Sequence, residues 1–199
     1  SGATVGRVPN TFYDANQKAF NFDGSGDYIQ TKWFSSLNRE FIHTWSAWVK
    51  ILLPEESFEA LYGIGNSSTS GEMYSSYICT NDDATGFRTE GDAGLGRIDH
   101  PLTWRYYKAK WTHIAIVKSG ASIDSIRVYV NGQIRDTTTA VNATNVINQP
   151  MGDIDLRHGI TRSGGYPYQG LMSSIKMWDV ALNDGEVNTL YSMGRYDEG

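Results

Sequence analysis

The sequence predicts an all-β protein, an antiparallel sandwich closed by one short helix. Three observations carry that expectation. Segments of alternating apolar and polar residues recur from end to end, at 19–30, 43–51, 111–120, 125–134 and 168–182. Gly, Asn, Asp and Ser punctuate them, with 21 glycines in the chain. Only one stretch, near the C-terminus, repeats apolar residues at helical spacing.

Taken in order, the segment at 19–30 (AFNFDGSGDYIQ) reads as strand, Gly-rich turn and strand. In 43–51, His43, Trp45, Ala47, Val49 and Ile51 fall on one face of an extended chain, and Thr44, Ser46, Trp48 and Lys50 on the other, the pattern of a half-buried strand. Between Gly63 and Lys110 the pattern weakens into short strands with long loops, with apolar pieces at Tyr77–Cys79 and Trp104–Tyr107. Such loops on a rigid sheet are where recognition usually sits. At 111–118 both faces are largely apolar: Trp111, His113, Ala115 and Val117 on one, Thr112, Ile114 and Ile116 on the other. That strand is expected to be central and covered on both sides. Ile126, Val128 and Val130 alternate with Arg127 and Tyr129, and Asn131-Gly132 then supplies the two residues of a tight hairpin turn. After a strand at 171–178, Asn183 and Glu186 form a capping-box pattern, and Val187, Leu190 and Tyr191 follow at helical spacing. One domain over 1–199 is expected, with an N-terminal segment at 1–18 and the helix at 183–192.

A net charge of −5 with no basic cluster argues against nucleic acid or an anionic membrane surface as partner. Cys79 is alone, so no internal disulfide forms. No stretch reaches about 18 apolar residues, and neither a membrane span nor a signal peptide is visible. The aromatic fraction is 13%, including 12 tyrosines and 6 tryptophans, which serve a large core or flat contact surfaces for sugars.

Catalytic signatures are missing: there is no His-Glu-x-x-His, no Gly-x-Ser-x-Gly and no phosphate-cradling glycine loop. His43 and His113 lie on faces expected to be buried, in structural roles. His100 is expected in a loop, and His158 has no partner visible in the sequence.

The segments together resemble the laminin-G-like, concanavalin A-like jelly-roll superfamily. The resemblance rests on Phe22-Asp23-Gly24 with Asp27-Tyr28, on Thr44 to Val49, on Trp111, His113 and Ala115, on Tyr129 to Gly132, and on Gly170, Ala181, Leu182 and Glu186. It spans 19–191. It implies two antiparallel sheets face to face, with ligands met on the concave sheet or at the loop rim. Many relatives hold calcium, which takes about six to eight oxygen ligands. Asp23 and Asp27 match that motif, and Asp82 and Asp83 form a second oxygen cluster. Relatives often place an acidic residue in the last long strand, where this chain has Ser173 and Ser174, a departure that counts against the metal. Jelly-roll glucanases present Glu-x-Asp-x-x-Glu on one strand. Here Glu90-Gly91-Asp92 begins that pattern and Gly94-Leu95 breaks it, so these residues are expected in a turn.

Sugar recognition needs an aromatic face and a few planar polar groups. Trp104, Arg105 and Tyr107 offer both, as do Arg162, Tyr166 and Tyr168; Trp104 and Tyr106 are as well suited to the core as to the surface. The expected function is non-catalytic binding of a glycan or surface glycoconjugate, within an extracellular, cell-surface or virion-associated protein. The alternatives are a structural or protein-interaction module, oligomeric or not, and a divergent glycoside hydrolase.

Overall fold

The computed structural model describes residues 12–34, 42–52, 58–65, 73–79, 86–91, 96–136, 139–142, 153–161 and 163–195. The strands are β1 (Phe12–Asp14), β2 (Ala19–Asp23), β3 (Ile29–Phe34), β4 (His43–Ile51), β5 (Phe58–Gly65), β6 (Met73–Cys79), β7 (Phe87–Gly91), β8 (Arg97–His100), β9 (Thr112–Lys118), β10 (Ile126–Val130), β11 (Gln133–Ile134), β12 (Thr139–Val141), β13 (Asp153–His158) and β14 (Gln169–Trp178). One helix, α1 (Asp184–Ser192), follows them. The strands form two sheets of seven, ordered β1-β2-β14-β4-β9-β10-β11 and β12-β8-β7-β6-β5-β13-β3. All their pairings are antiparallel. This is the expected jelly-roll β-sandwich.

The alternation in the sequence builds the interior. Trp45, Ala47 and Val49 of β4, Ile114 and Ile116 of β9, and Val128 and Val130 of β10 share one core with Tyr62, Ile64, Ile78, Phe87, Ile98 and Leu156 of the second sheet. Trp45 stacks on Tyr62 at 5.1 Å between centroids. Its Nε1 donates to His158 Nδ1 at 3.1 Å, and Tyr62 Oη lies 3.0 Å from His43 Nε2. Large amphipathic rings thus fill the centre with their polar atoms paired. His158 therefore has a partner that its sequence neighbours do not reveal.

β9 is the doubly covered strand its sequence predicts. Its other face, Ala115 and Val117, packs with Tyr129 against Val187 of α1. His113 Nε2 lies 2.8 Å from Ser46 Oγ on that side, and its ring meets Trp48 and Tyr191. Both bonds of the Asn183–Glu186 capping box are present, and Tyr129 donates to Asp184 Oδ1 at 2.7 Å. Asn131 and Gly132 carry φ of 50° and 75° in the β10–β11 turn. The helix thus occupies the outer face of the first sheet. Among the described residues no helix lies on the outer face of the second.

Two local expectations are corrected. Glu90 and Gly91 are not a turn but the end of β7, paired with Ser75 and Tyr74. His100 is not a loop residue but the buried end of β8. Register explains both: Arg88, Glu90, Arg97 and Asp99 alternate outward while Phe87, Thr89, Ile98 and His100 enter the interior, a pattern two short polar strands barely display.

Candidate functional site

Cross-strand partners in an antiparallel sheet share a face. Because Tyr62, Ile78, Phe87 and Ile98 point inward, the intervening register rows point out. One such row is Ala60, Tyr77, Arg88 and Asp99. The next is Gln30, Arg157, Gly63, Ser75, Glu90 and Arg97. Six strands at about 4.8 Å spacing make this face about 24 Å across; Ala60, Ser75, Tyr77 and Asp99 are buried within it, so Gln30, Arg88, Glu90, Arg97 and Arg157 supply its partly exposed polar groups.

Its charged groups are held in fixed positions. Arg88 Nε donates to Asp99 Oδ1 at 2.9 Å, and its guanidinium lies 5.2 Å over the Phe58 ring. Arg97 Nε stands 3.6 Å from Asp99 Oδ2, an ion pair rather than a hydrogen bond. Arg157 donates to Gln30 Oε1 at 3.2 Å and covers Tyr28 at 4.9 Å. Burial, reinforced by the Glu90 carboxylate, pushes the Tyr77 phenol well above its ordinary value, so it remains a neutral hydroxyl at physiological pH.

Tyr166 borders this surface. It is 50% exposed and held at φ 51°, a left-handed conformation rare for a bulky side chain. Its carbonyl accepts from Ala60 N at 2.8 Å, and its ring meets Tyr77 at 5.3 Å and Phe58 at 5.7 Å. Two buried residues of β5, Ala60 and Glu59, hold the loop. Glu59 Oε2 accepts from Gln169 N at 3.2 Å, and burial raises its carboxyl from 4.5 to about 8. Glu59 is therefore largely uncharged near neutrality.

The structure sorts the sequence-derived candidates. Tyr166 is on the surface, as expected. Tyr168 is not a ligand residue: it is fully buried, edge-on to Phe22 at 5.7 Å. Trp104 is likewise core, with Nε1 donating to Gly86 O at 2.6 Å and its ring edge-on to Phe87. The residues Trp104–Tyr106 form a 3₁₀ helix, and Arg105 and Tyr106 point outward from it while Tyr107 is half-buried against Trp104. Arg162, Asp82 and Asp83 lie outside the described residues. Phe58, Tyr77, Arg88 and Asp99 escaped the sequence reading, although the alternation of Phe87 and Thr89 with Arg88 and Glu90 is the signal of a polar outer face.

At the other motif, Asp27 Oδ2 accepts from Asp23 N at 3.0 Å, and Asp23 Oδ1 accepts from Ser25 N at 2.7 Å. Asp27 is 1% exposed, and its Oδ1 is buried without a hydrogen bond. A buried, unpaired carboxylate oxygen is the donor a hard cation takes, so the pair fits calcium in kind. Among the described residues no three acidic, His or Cys side chains converge on one point, so further ligands there would be backbone oxygens and water.

A two-sheet jelly roll with a helix on one outer face and a polar, aromatic-edged opposite face defines a lectin-like β-sandwich. The chain belongs to the concanavalin A-like lectin/glucanases superfamily, whose sequence pattern matches residues 23–188. Among solved structures it is similar to the native heptameric SAP-like pentraxin of Limulus polyphemus, with 20% identity over 87% of this chain and 81% of that one, TM-score 0.61. The CBM40 of the Ruminococcus gnavus IT-sialidase matches with 17% identity over 87% and 96% of the two chains, TM-score 0.59. Trypanosoma rangeli sialidase matches 95% of this chain but only 28% of its own, with 19% identity and TM-score 0.59. These likenesses establish the fold. No curated protein matches the chain.

Proposed function

We propose that the protein is a non-catalytic carbohydrate-recognition module, binding glycans on the outer face of the second sheet beside Tyr166. The reading places it within a larger extracellular or virion-surface protein. The observation that carries the site is Tyr166 itself: a strained, half-exposed aromatic ring held beside fixed Arg88, Glu90 and Tyr77. Its face covers the C–H side of a sugar ring, and the planar polar groups bond hydroxyls. The occurrence of a sialidase's carbohydrate-binding module among the similar structures supports the reading.

Hydrolysis is the competing use of this face. Glu90 and Asp99 sit diagonally on neighbouring strands β7 and β8 and face the same side, the placement that a glycosidase carboxyl pair requires. Asp99, however, is 2% exposed and ion-paired with both Arg88 and Arg97. A carboxylate so engaged neither attacks a sugar nor activates water. Among the described residues of this face Glu90 then has no second carboxylate free to act with it.

The test is a glycan array followed by calorimetric titration of the best ligand. Tyr166→Ala should weaken that ligand about tenfold, roughly 1.4 kcal/mol, and Glu90→Gln should alter affinity without removing any turnover. Silence across a broad array, or hydrolysis of a bound glycan that Glu90→Gln abolishes, refutes the proposal.

A further inference from the structure

Where the chain leaves β8 for β9, a pocket of about 300 Å³ opens at the edge of the sandwich. Pro101, Leu102, Thr103, Tyr106 and Tyr107 line one side and Arg135 the other. The walls are fixed by the fold. Trp104 anchors the 3₁₀ helix beneath the two tyrosines through Gly86 O. Gly86 itself has no room for a side chain, since a Cβ there would lie 2.2 Å from Leu102 N. Opposite, Arg135 N donates to Val128 O at 2.8 Å and so continues the β10–β11 pairing.

Two features of the lining stand out chemically. Tyr106 is 68% exposed, an aromatic face turned to solvent at the mouth. Arg135 Nε is buried without an acceptor, and among the described residues no carboxylate pairs with its guanidinium. The arginines named on the second sheet's outer face each have an acceptor or counter-ion; among the described residues Arg135 has none. The volume is that of the smallest ligand sites, enough for one sugar ring.

We propose that this pocket is a second binding site, which takes a carboxylate-bearing sugar such as a terminal uronic acid. The planar guanidinium matches a carboxylate with two parallel N–H donors, which an ammonium does not. Tyr106 and Tyr107 cover the ring's C–H face, Pro101 and Leu102 form an apolar floor, and the Thr103 hydroxyl reaches a ring hydroxyl. A bare anion engages only Arg135 and leaves the tyrosines unused. The pocket shares no residue with the Tyr166 surface, so the two sites stand or fall separately.

The intact chain is titrated with a glucuronate-terminated disaccharide and with its glucose-terminated counterpart, by chemical-shift mapping and calorimetry. The acidic disaccharide should bind at least tenfold more tightly, with shifts at Thr103, Tyr106 and Arg135. Arg135→Gln should abolish the preference, Arg135→Lys should recover only part of it, and Tyr106→Ala should weaken both disaccharides at the pocket. Equal affinity for the two, no binding of the acidic one, or a preference that survives Arg135→Gln overturns the proposal. So does inorganic sulfate competing as well as the acidic sugar. If Arg135→Gln proves unfolded by its thermal transition, the exposed Tyr106→Ala variant decides. Loss of neutral-glycan binding in Tyr166→Ala, by contrast, reports on the sheet face alone.

Discussion

Acidification from pH 6.5 should unfold this protein far sooner than alkalinisation over the same interval. His100, His113 and His158 are each at most 4% exposed, and burial lowers each imidazole from 6.5 to about 4. The unfolded chain regains the ordinary value, so between these limits it binds protons that the folded chain excludes. The stability contributed by a depressed imidazole is whole above pH 6.5 and is lost as the pH falls to about 4. Glu59 has the opposite sign. Its carboxyl is raised from 4.5 to about 8, so its contribution is whole below 4.5 and is lost as the pH rises through about 8.

Between pH 4.5 and 6.5 three imidazoles oppose one carboxyl, a net difference of about two protons. At roughly 1.4 kcal/mol per proton per pH unit, stability should fall by up to about 2.7 kcal/mol for each unit of acidification. Above pH 6.5 Glu59 is the remaining member of the four, and stability should decline by about 1.4 kcal/mol per unit toward pH 8. A domain's total stability is about 5–15 kcal/mol, so the acid limb consumes a large share of it by pH 4.5. Urea unfolding followed by tryptophan fluorescence from pH 4 to 9 reads the profile, with its maximum near 6.5. His158→Gln keeps an acceptor for Trp45 Nε1 and removes one titration, so its acid limb should be shallower by about 1.4 kcal/mol per unit. Glu59→Gln should lose the alkaline decline. A flat wild-type profile between pH 4.5 and 6.5, or an unchanged acid slope in His158→Gln, refutes the reasoning.

Two further outcomes follow from local geometry. Gly159 has φ 83°, and a Cβ there would lie 2.4 Å from the ring of buried Phe22; Gly159→Ala should cost about 2–4 kcal/mol by urea unfolding, combining left-handed strain with overpacking, and a loss below about 1 kcal/mol would contradict the packing described. If Asp27 Oδ1 holds calcium, millimolar calcium should raise the melting temperature of chelator-treated protein, and Asp27→Asn should remove the shift; an unmoved transition eliminates the Asp23–Asp27 pair as a metal site.

The core was legible in the sequence because period-two alternation is long and strong where both ends of a strand are apolar. β4 and β9 declared their inner faces, and the second apolar face of β9 announced a cover that proved to be α1. Asn183 and Glu186 specified the helix start to the residue. The site was legible only in part, because its residues lie where that period fails. Tyr166 and Tyr168 are two apart and would share a face in a strand. The left-handed backbone at Tyr166 breaks the parity, so one ring faces out and the other in. Trp104 to Tyr107 follow a 3₁₀ period of three, which turns Trp104 and Tyr107 toward the interior and Arg105 and Tyr106 away. Arg88 and Asp99 meet only through the β7–β8 register, and Arg135 faces Tyr106 only through tertiary packing. Neither is encoded in local spacing.

The two proposed sites differ in how their charges are disposed, and that difference predicts what each takes. On the second sheet's outer face Arg88 and Arg97 converge on Asp99, Arg157 is bonded to Gln30, and Glu90 stands against the Tyr77 phenol. Such a face presents oriented donors and acceptors with little uncompensated field, which suits a neutral polyhydroxyl ligand and gives a polyanion such as nucleic acid nothing to neutralise. In the edge pocket no counter-charge meets the guanidinium among the described residues, so a ligand that brings one is favoured over its neutral analogue. A glycan carrying both neutral and acidic units would then be read in two places on one rigid scaffold, with the sheet selecting ring shape and hydroxyl pattern and the pocket selecting charge. Two weak sites engaged by one chain multiply in affinity when the linker between the units matches their separation, so neither needs to bind tightly alone.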